Sequence, residues 1–454
     1  MSTRFATYEA ALKYLTESTD YERMRRVRYN SDTFDLTRIA ALVEAVGHPE
    51  RQFRSIHVAG TKGKGSTAAM IEAVLRGHGL RTGLFTSPHL VDLRERIQID
   101  RRLVDPDLMR RMVGRVAEAI DHGLGAAMPT FFEMMTAAGF LCFAEAGVDV
   151  AVVETGLGGR LDSTNILLPQ VAVITSISID HTFQLGTDLA SIAREKAGII
   201  KPRVPLVLAP QQGAAEQVIL ATAARLQAPT VCVGRDVQCD WQKAFLADQP
   251  SSRVTVRTAA RTYVSLDVPL GGRVQADNAA CAIAAAEIVL GKAADAEKVR
   301  EALAAMRWDG RMQVVHLSAP RCPDNVTVIV DGAHNADSLR QLLLAVKDYY
   351  GDRPAACLFA AASDKDIPGM MTVLAESGLD VVFTKTSNPR AAEPNDLAEQ
   401  LRAAGGRPTD TAPHWPEALS LACAPLGDGG VVVICGSLYL VGDVLSAASP
   451  SATA

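Results

Sequence analysis

The 454-residue sequence has no long apolar run, since charges, Gly or Pro interrupt each one, and this argues against a membrane-spanning helix. It has no excess of basic residues either. The formal net charge is −5, which gives no footprint for nucleic-acid binding. The first residues, MSTRF, lack the apolar core of a signal peptide. We therefore expect a cytoplasmic protein with no nucleic-acid and no membrane partner.

The eight cysteines form no metal-binding or redox motif. No CxxC pair occurs, and Cys232 and Cys239 are too far apart for a zinc knuckle. Cys142, Cys281 and Cys357 lie in apolar runs, where a free thiol behaves as a small hydrophobic group. The expectation is buried free thiols and no disulfide framework.

Apolar strand-like runs alternate with helical patterns in the first part of the chain. Continuous apolar strands alternating with helices predict a parallel sheet covered on both faces, with ligands at the carboxyl ends of its strands. The chain is long enough for two or three domains. The predicted strands lie at residues 55–59, 149–153, 171–179, 204–208 and 230–233.

A second series of such runs begins near residue 312 and predicts a smaller, Rossmann-like α/β domain. The expected organisation is an α/β domain with a mostly parallel P-loop sheet over residues 1–311 and the smaller domain over residues 312–446. Residues 447–454 are small and polar, which indicates a disordered tail. Alternation within residues 236–268 suggests a short antiparallel patch.

A glycine-rich segment, GTKGKGST at residues 60–67, stands between a predicted strand and a predicted helix. Glycines let backbone N–H groups face phosphate oxygens, and the positive end of the helix favours an anion. Lys64 adds a mobile charge, and Ser66 or Thr67 a hydroxyl for magnesium. We predict ATP binding through Gly63, Lys64, Gly65 and Ser66. The alternative is an ordinary glycine-rich turn.

Further motifs follow in a fixed order along most of the chain. Together with the glycine loop, they resemble the folylpolyglutamate synthase and dihydrofolate synthase family of the Mur ligase superfamily. In that family the first domain is the ATP-binding central type and the second a C-terminal ligase domain. The motifs are TSPHL at 86–90, TFFE at 130–133, ETGLGGRLDSTN at 154–165, DH at 180–181, REKAGII at 194–200, DGAHN at 331–335 and GSLYL at 436–440.

The resemblance implies two magnesium sites. It assigns Ser87 and Glu154 to one ion and His181 to a second, although magnesium prefers oxygen ligands to imidazole. It also implies that carbon dioxide carbamylates Lys196, which requires a neutral amine. The alternatives are a buried ion pair for Glu154, a structural histidine, and a solvated helix charge for Lys196.

The same resemblance assigns nucleotide contacts to Asn278, Arg311 and Asp331, with ATP clamped between domains. From its place in the DGAHN turn, His334 could face the transferred phosphate. The alternatives are a helix cap for Asn278, a surface charge for Arg311 and a turn-forming role for His334. Two segments are expected to hold the pterin, and their phenylalanines could instead belong to the core. These substrate residues are Thr130, Phe131, Phe132, Glu133, Leu161, Asp162 and Ser163.

The implied reaction joins L-glutamate to a pteroyl carboxylate, of dihydropteroate or a reduced folate, through an acyl phosphate. Lys64, Lys196 and His334 are the expected catalytic residues, and a monomer is expected. Whether the chain makes dihydrofolate, extends folates or does both stays open. Two other hypotheses are a Mur-type ligase for another substrate and a P-loop ATPase or switch. Mur-type ligases for other substrates usually carry an additional N-terminal domain, for which the 59 residues before the loop leave little room. A binding-only relative is a further alternative.

Overall fold

A computed structural model describes residues 4–20, 35–123, 128–180, 182–317, 319–320, 322–323 and 325–448. The chain divides into two compact units. The first comprises Met1–Asp240, Val254–Asp267 and Val274–Met306, and the second comprises Trp241–Arg253, Val268–Arg273 and Arg307–Ala454.

The first unit contains an eight-stranded sheet in the order β4-β3-β2-β5-β1-β6-β7-β8. From β2 to β8 the neighbouring strands are parallel, whereas β3 and β4 pair antiparallel at one edge. The strands are β1 (Arg54–Ala59), β2 (Thr82–Phe85), β3 (Ile97–Ile99), β4 (Arg102–Leu103), β5 (Val150–Glu154), β6 (Val171–Ile174), β7 (Leu206–Leu208) and β8 (Thr230–Cys232).

Helices cover this sheet, and its central strands are therefore buried along nearly their whole length. Burial on both faces explains why β5 and β6 read as unbroken apolar runs rather than as alternating ones. The helices are α1 (Tyr8–Thr16), α2 (Leu36–Ala45), α3 (Lys64–Gly77), α4 (Pro106–Asp121), α5 (Phe131–Glu145), α6 (Thr182–Leu185), α7 (Leu189–Ala197), α8 (Gly213–Arg225), α9 (Val274–Leu290) and α10 (Ala296–Ala304). Short 3-10 helices occur at Pro49–Arg51, Leu93–Arg96 and Ser163–Ile166.

A separate three-stranded sheet, in the order β11-β10-β9, forms where the sequence predicts a strand patch. Its strands are β9 (Gln238–Leu246), β10 (Gln249–Arg257) and β11 (Thr262–Val268).

The second unit contains a six-stranded sheet in the order β12-β13-β17-β14-β15-β16, parallel except for the β12–β13 pair. Its strands are β12 (Gln313–Val315), β13 (Thr327–Val330), β14 (Ala355–Phe359), β15 (Asp380–Phe383), β16 (Arg407–Thr411) and β17 (Val431–Cys435). Its helices are α11 (Ala336–Tyr350), α12 (Ile367–Ser377), α13 (Pro394–Ala403), α14 (Trp415–Cys423) and α15 (Leu438–Ala448).

The predicted fold class, a mostly parallel α/β domain followed by a second α/β domain, is confirmed. Strand β6 ends at Ile174, earlier than predicted, because the next residues leave the sheet and their carbonyls bind the glycine loop. Helix α15 extends to Ala448, and the rest of the predicted tail lies outside the described residues. No helix within the described ranges is long and apolar enough to cross a membrane.

The expectation that no disulfide would form was wrong for one pair. Cys322 and Cys423 form a disulfide within the second unit, across a sequence separation of 101 residues. Such a pairing has no local spacing signature, because the fold rather than the sequence brings the two residues together. The remaining cysteines are free thiols, as predicted, and most of them are buried.

Candidate active site

The glycine loop turns from β1 into α3, as predicted. Gly63 is the N-cap of α3 and has φ = 79°, a left-handed conformation that glycine adopts without strain. A Cβ atom at Gly63 would collide with the carboxamide of Asn278, which is buried on α9. The structure therefore places Asn278 directly against the loop.

Backbone contacts hold the start of the loop. The amides of Thr61 and Lys62 donate to the carbonyl of Ser176, at 2.9 and 3.1 Å. Helix α3 begins at Lys64, so the N–H groups of Lys64, Gly65 and Ser66 stand in its first turn, where no helical acceptor exists. Free N–H groups at the positive end of a helix suit a phosphate group.

Glu154 stands at the end of β5, next to β1 in the sheet. The Lys64 ammonium lies 3.7 Å from Glu154 Oε1, and the amide of Ser87 donates to Glu154 Oε2 at 3.2 Å. The structure thus brings together Lys64 and both residues predicted for the first magnesium ion, while His181 lies outside the described residues. The oxygen donors fit a hard cation. The described residues hold no group of three or more His, Cys, Asp or Glu that could bind a metal ion.

Lys196, near the end of α7, is buried rather than a solvated helix charge. Its ammonium donates to the carbonyl of Gly60 at 2.7 Å, which ties it to the glycine loop. Burial, and then the positive charge of Lys64, lowers the pKa of Lys196 to about 7, against the opposing effect of nearby carboxylates. A substantial fraction of this amine is therefore neutral near neutral pH.

Two of the predicted substrate residues form the N-terminal cap of α5. The hydroxyl of Thr130 accepts from the amide of Glu133, and the Glu133 carboxylate accepts from the amide of Thr130 at 2.7 Å. This reciprocal pair is a capping box, which satisfies two free donors of the first turn. Arg38 also pairs with the buried Glu133 carboxylate at 3.1 Å.

The two phenylalanines that follow have different surroundings. Phe131 is buried in the core, with the Arg96 guanidinium 5.3 Å from its ring centroid. Phe132 is partly exposed and lies against Gly156, where a Cβ atom would come within 2.6 Å of the ring. Phe132 is therefore the aromatic side chain that packs against the loop after β5.

Asp162 organises that loop from within. Its carboxylate accepts from the amides of Leu157, at 2.8 Å, and Thr164, at 3.1 Å, and also from the Thr164 hydroxyl. Burial raises the pKa of Asp162, against the opposing effect of these hydrogen bonds. Its predicted neighbours in the substrate segment, Leu161 and Ser163, are partly exposed.

His57 belongs to the same network, although it lies outside the sequence motifs. Its Nε2 lies 2.8 Å from the Thr164 hydroxyl, which itself donates to Asp162, so His57 must donate. Complete burial lowers the pKa of His57 to about 3, so its ring is neutral. The signal in the sequence was a histidine between two apolar residues, Ile56 and Val58, of strand β1.

In the second unit, the structure brings Arg311, Asp331 and His334 close together. The Asp331 carboxylate accepts from the amides of Met312 and Ala333, both at 2.8 Å. Burial raises the pKa of Asp331, and the Arg311 charge opposes this. His334 Nδ1 lies 2.8 Å from the carbonyl of Gly332, so Nδ1 carries the proton and Nε2 is the acceptor when the ring is neutral.

Most of the chain is similar to known proteins, not only the residues of these sites. Residues 58–286 match the Mur ligase middle domain, and residues 310–438 match the Mur ligase glutamate ligase domain. The dihydrofolate synthase/folylpolyglutamate synthase of Bacillus subtilis is 34% identical over 421 residues, which cover 90% of this chain and 94% of the relative.

Two solved structures show the same likeness. One is the folylpolyglutamate synthase of Mycobacterium tuberculosis complexed with ADP and AMPPCP, with a TM-score of 0.84 and 33% identity, covering 92% of this chain and 96% of that one. The other is E. coli FolC in complex with DHPP and ADP, with a TM-score of 0.80 and 27% identity, covering 97% of each chain. The chain belongs to the Mur ligase family and, within it, to the folylpolyglutamate synthases and dihydrofolate synthases.

Proposed function

We infer that this protein is an ATP-dependent ligase that joins L-glutamate to the carboxylate of a pteroyl substrate. The observation that carries the inference is the arrangement at the glycine loop: the Lys64 ammonium faces Glu154, and the buried amine of Lys196 contacts the carbonyl of Gly60. Relatives of nearly the same length are named for this activity, and related structures hold ADP or an ATP analogue.

The first step converts a poor electrophile into a good one. An oxygen of the pteroyl carboxylate forms a bond to the γ-phosphorus of ATP, and the bond from that phosphorus to ADP breaks. The N–H groups of α3 and the Lys64 ammonium would stabilise the charge on the phosphoryl oxygens. Glu154 and Ser87 would hold a magnesium ion, which neutralises phosphate charge when bound.

In the second step the amine of glutamate attacks the acyl carbon, the amide bond forms, and phosphate leaves. This route needs no nucleophile from the protein, so catalysis is positioning and electrostatic stabilisation. We propose that Asn278 contacts the nucleotide, since it lies against Gly63. The roles of Arg311 and Asp331 at the nucleotide rest on the family resemblance and stay predictions, as does the role of His334 at the transferred phosphate.

We further propose that Lys196 is carbamylated. Its neutral amine would attack carbon dioxide, form an N–C bond and release one proton, which leaves an anionic carbamate; from the protonated amine, two protons are released in all. The low pKa of Lys196 supports this step, because only the neutral amine is a nucleophile. The resulting carboxylate would be an oxygen ligand for the second magnesium ion predicted beside His181.

The pteroyl group is proposed to bind where Phe132 meets the loop of residues 154–165. Phe132 offers a partly exposed ring for a flat heterocycle, and Leu161 and Ser163 in the loop are also partly exposed. Thr130, Phe131, Glu133 and Asp162 would act mainly by holding the helix start and the loop in place. The boundary at residue 311, the monomeric state and the cytoplasmic location stay predictions.

The test is a ligation assay with purified protein, ATP, magnesium and L-glutamate, and with dihydropteroate or tetrahydrofolate in separate reactions. We expect a glutamylated product and an equal amount of phosphate in at least one reaction, and the productive reaction identifies the activity. Phosphate release that is independent of both pterins would instead support a P-loop ATPase.

A further inference from the structure

A chain of hydrogen bonds starts at His57, a residue to which the proposed reaction gives no role. His57 is completely buried on β1. Its Nε2 atom lies 2.8 Å from the hydroxyl of Thr164, which is also completely buried, and its buried Nδ1 atom has no hydrogen-bond partner among the described residues. A polar ring costs free energy in such a place, so this histidine needs an explanation.

From Thr164 the chain runs into the loop after β5, residues 154–165. The hydroxyl and the amide of Thr164 both donate to Oδ1 of Asp162, the amide at 3.1 Å. Oδ2 of the same carboxylate accepts from the amide of Leu157 at 2.8 Å. Asp162 therefore ties the beginning of the loop to its end, and His57 reaches this carboxylate through Thr164.

The direction of the chain follows from the number of protons. A neutral imidazole carries one proton, on Nδ1 or on Nε2, and a hydroxyl donates only one. With the proton on Nδ1, a buried N–H group would lack an acceptor within the described part of the chain, and Thr164 could not donate to His57 and Asp162 at once. With the proton on Nε2, His57 donates to Thr164, Thr164 donates to Asp162, and only an acceptor atom stays unpaired. Unpaired acceptors are commoner than unpaired donors in protein interiors, which favours the second arrangement.

His57 acts in this chain as a neutral donor. Burial, and then the positive charge of Lys201, lowers the pKa of His57 to about 3. Burial raises the pKa of Asp162, while the donors from Thr164 and Leu157 favour its ionised form. The hydrogen bond from the ring keeps the Thr164 hydroxyl turned toward Asp162. The ring thus holds the carboxylate in one orientation without adding a charge to the interior.

The loop that Asp162 shapes also forms one wall of the proposed pteroyl site. Gly156, next to Leu157, packs so closely against the Phe132 ring that a Cβ atom would come within 2.6 Å of it. Asp162 holds the amide of Leu157, so a change in the orientation of the carboxylate would shift the backbone against which Phe132 packs.

We propose that His57 is a positioning residue for the pteroyl substrate, acting through Thr164 and Asp162 on the loop of residues 154–165. This assignment rests on the proposed ligase function and adds to it a residue that contacts no substrate itself. The ring is suited to the task because it is a rigid donor that stays neutral, whereas a lysine at the same position would bring a buried charge.

The test compares substitutions that keep or remove the donor. In His57→Gln the side-chain amide can donate from roughly the position of Nε2, whereas His57→Met fills a similar volume without a donor. We expect the KM for the pteroyl substrate to rise about tenfold in His57→Met and about two- to threefold in His57→Gln. The KM for ATP and kcat at saturating pteroyl substrate should stay close to the wild-type values in both variants.

His78, at the end of α3, supplies the matched control. Its Nε2 accepts from the amide of Asp295 at 2.9 Å, and its Nδ1 lies 2.7 Å from the carbonyl of Val74. His78→Met also removes a histidine that is hydrogen-bonded within the first unit, so it should lower the midpoint of thermal unfolding. The KM for the pteroyl substrate should not change. A purely structural role of His57 would instead give His57→Met and His57→Gln equal KM values for this substrate.

Thr164→Val tests the path of the effect, because it removes the middle member of the chain with little change in shape. His57→Met should raise the KM for the pteroyl substrate much less in this background than in the wild type. An unchanged pteroyl KM in both single variants, strictly additive effects, or an equal rise in the KM for ATP would each overturn the assignment. If His57→Met fails to fold, the comparison of Thr164→Val with Thr164→Ser, which keeps the hydroxyl, decides. A wild type that binds ATP but ligates no glutamate refutes the proposed function itself, and the assignment falls with it.

Discussion

Among single residues, Lys196 departs most from what its residue type suggests. A lysine in a charged helical stretch is normally solvated, and only the fold shows that this one is buried against the glycine loop. His57 is also buried, and its complete burial in β1 lowers its pKa and keeps the ring neutral. The sequence could therefore identify Lys196 as a candidate site residue, but not His57, and it could not give the ionisation state of either, because ionisation depends on burial and on distant neighbours.

The pKa of Lys196 predicts a pH dependence. The folded pKa of about 7 lies below the ordinary value of 10.5, so the amine is protonated below pH 7 and neutral above it. Ligase activity that depends on carbon dioxide should therefore rise as pH increases through about 7. The measurement is the rate in buffer depleted of carbon dioxide, with and without added bicarbonate, from pH 6 to 9. A rate indifferent to bicarbonate at every pH would contradict carbamylation.

Gly63 allows a second prediction with an internal control. An alanine at Gly63 would have strained left-handed geometry and would also strike Asn278. Gly79, after the same helix, has φ = 86° but open space around it. Both Gly63→Ala and Gly79→Ala should lose about 1–2 kcal/mol of stability. Only Gly63→Ala should weaken ADP binding, by tenfold or more, in calorimetric titration, and equal nucleotide affinities would refute the account.

At the scale of elements, the loop after β5 and the start of α5 form one packed junction. Gly156→Ala should displace the Phe132 ring, because a Cβ atom would lie 2.6 Å from it. We expect a higher KM for the pteroyl substrate and an unchanged KM for ATP. In the double mutant Gly156→Ala/Phe132→Ala, the methyl group of the new alanine at position 156 meets no ring. The increase in the KM for the pteroyl substrate that Gly156→Ala causes should therefore be smaller when Phe132 is already alanine. Strictly additive effects would show that the two residues act independently.

The elements that the sequence predicts best are the buried ones. Strands β5 and β17 consist almost entirely of apolar residues, a pattern that is typical of strands buried on both faces of a sheet. Strand β2 was missed because it has only four residues, one of them Gly83, and β16 because its sequence, RPTDT, is polar. Their pairing depends on neighbours that lie far away in the sequence, which local patterns do not record.

At the scale of the whole molecule, the order of motifs identified the family, whereas long-range pairing could not be predicted. The Cys322–Cys423 disulfide closes a loop of about one hundred residues, for which chain entropy predicts about 4–5 kcal/mol of stabilisation. Reduction should therefore lower the denaturant midpoint of the second unit. The double variant Cys322→Ser/Cys423→Ser should start at the lower midpoint and show no response to reductant. A wild type unaffected by reductant would contradict this.

The central claim, that ATP activates the pteroyl carboxylate, is tested most directly with a substrate labelled with ¹⁸O in both carboxylate oxygens. Transfer through an acyl phosphate predicts one labelled oxygen in each phosphate released and one in the new amide carbonyl. Phosphate without label, formed alongside the glutamylated product, would contradict the mechanism derived from the site around Lys64, Glu154 and Lys196.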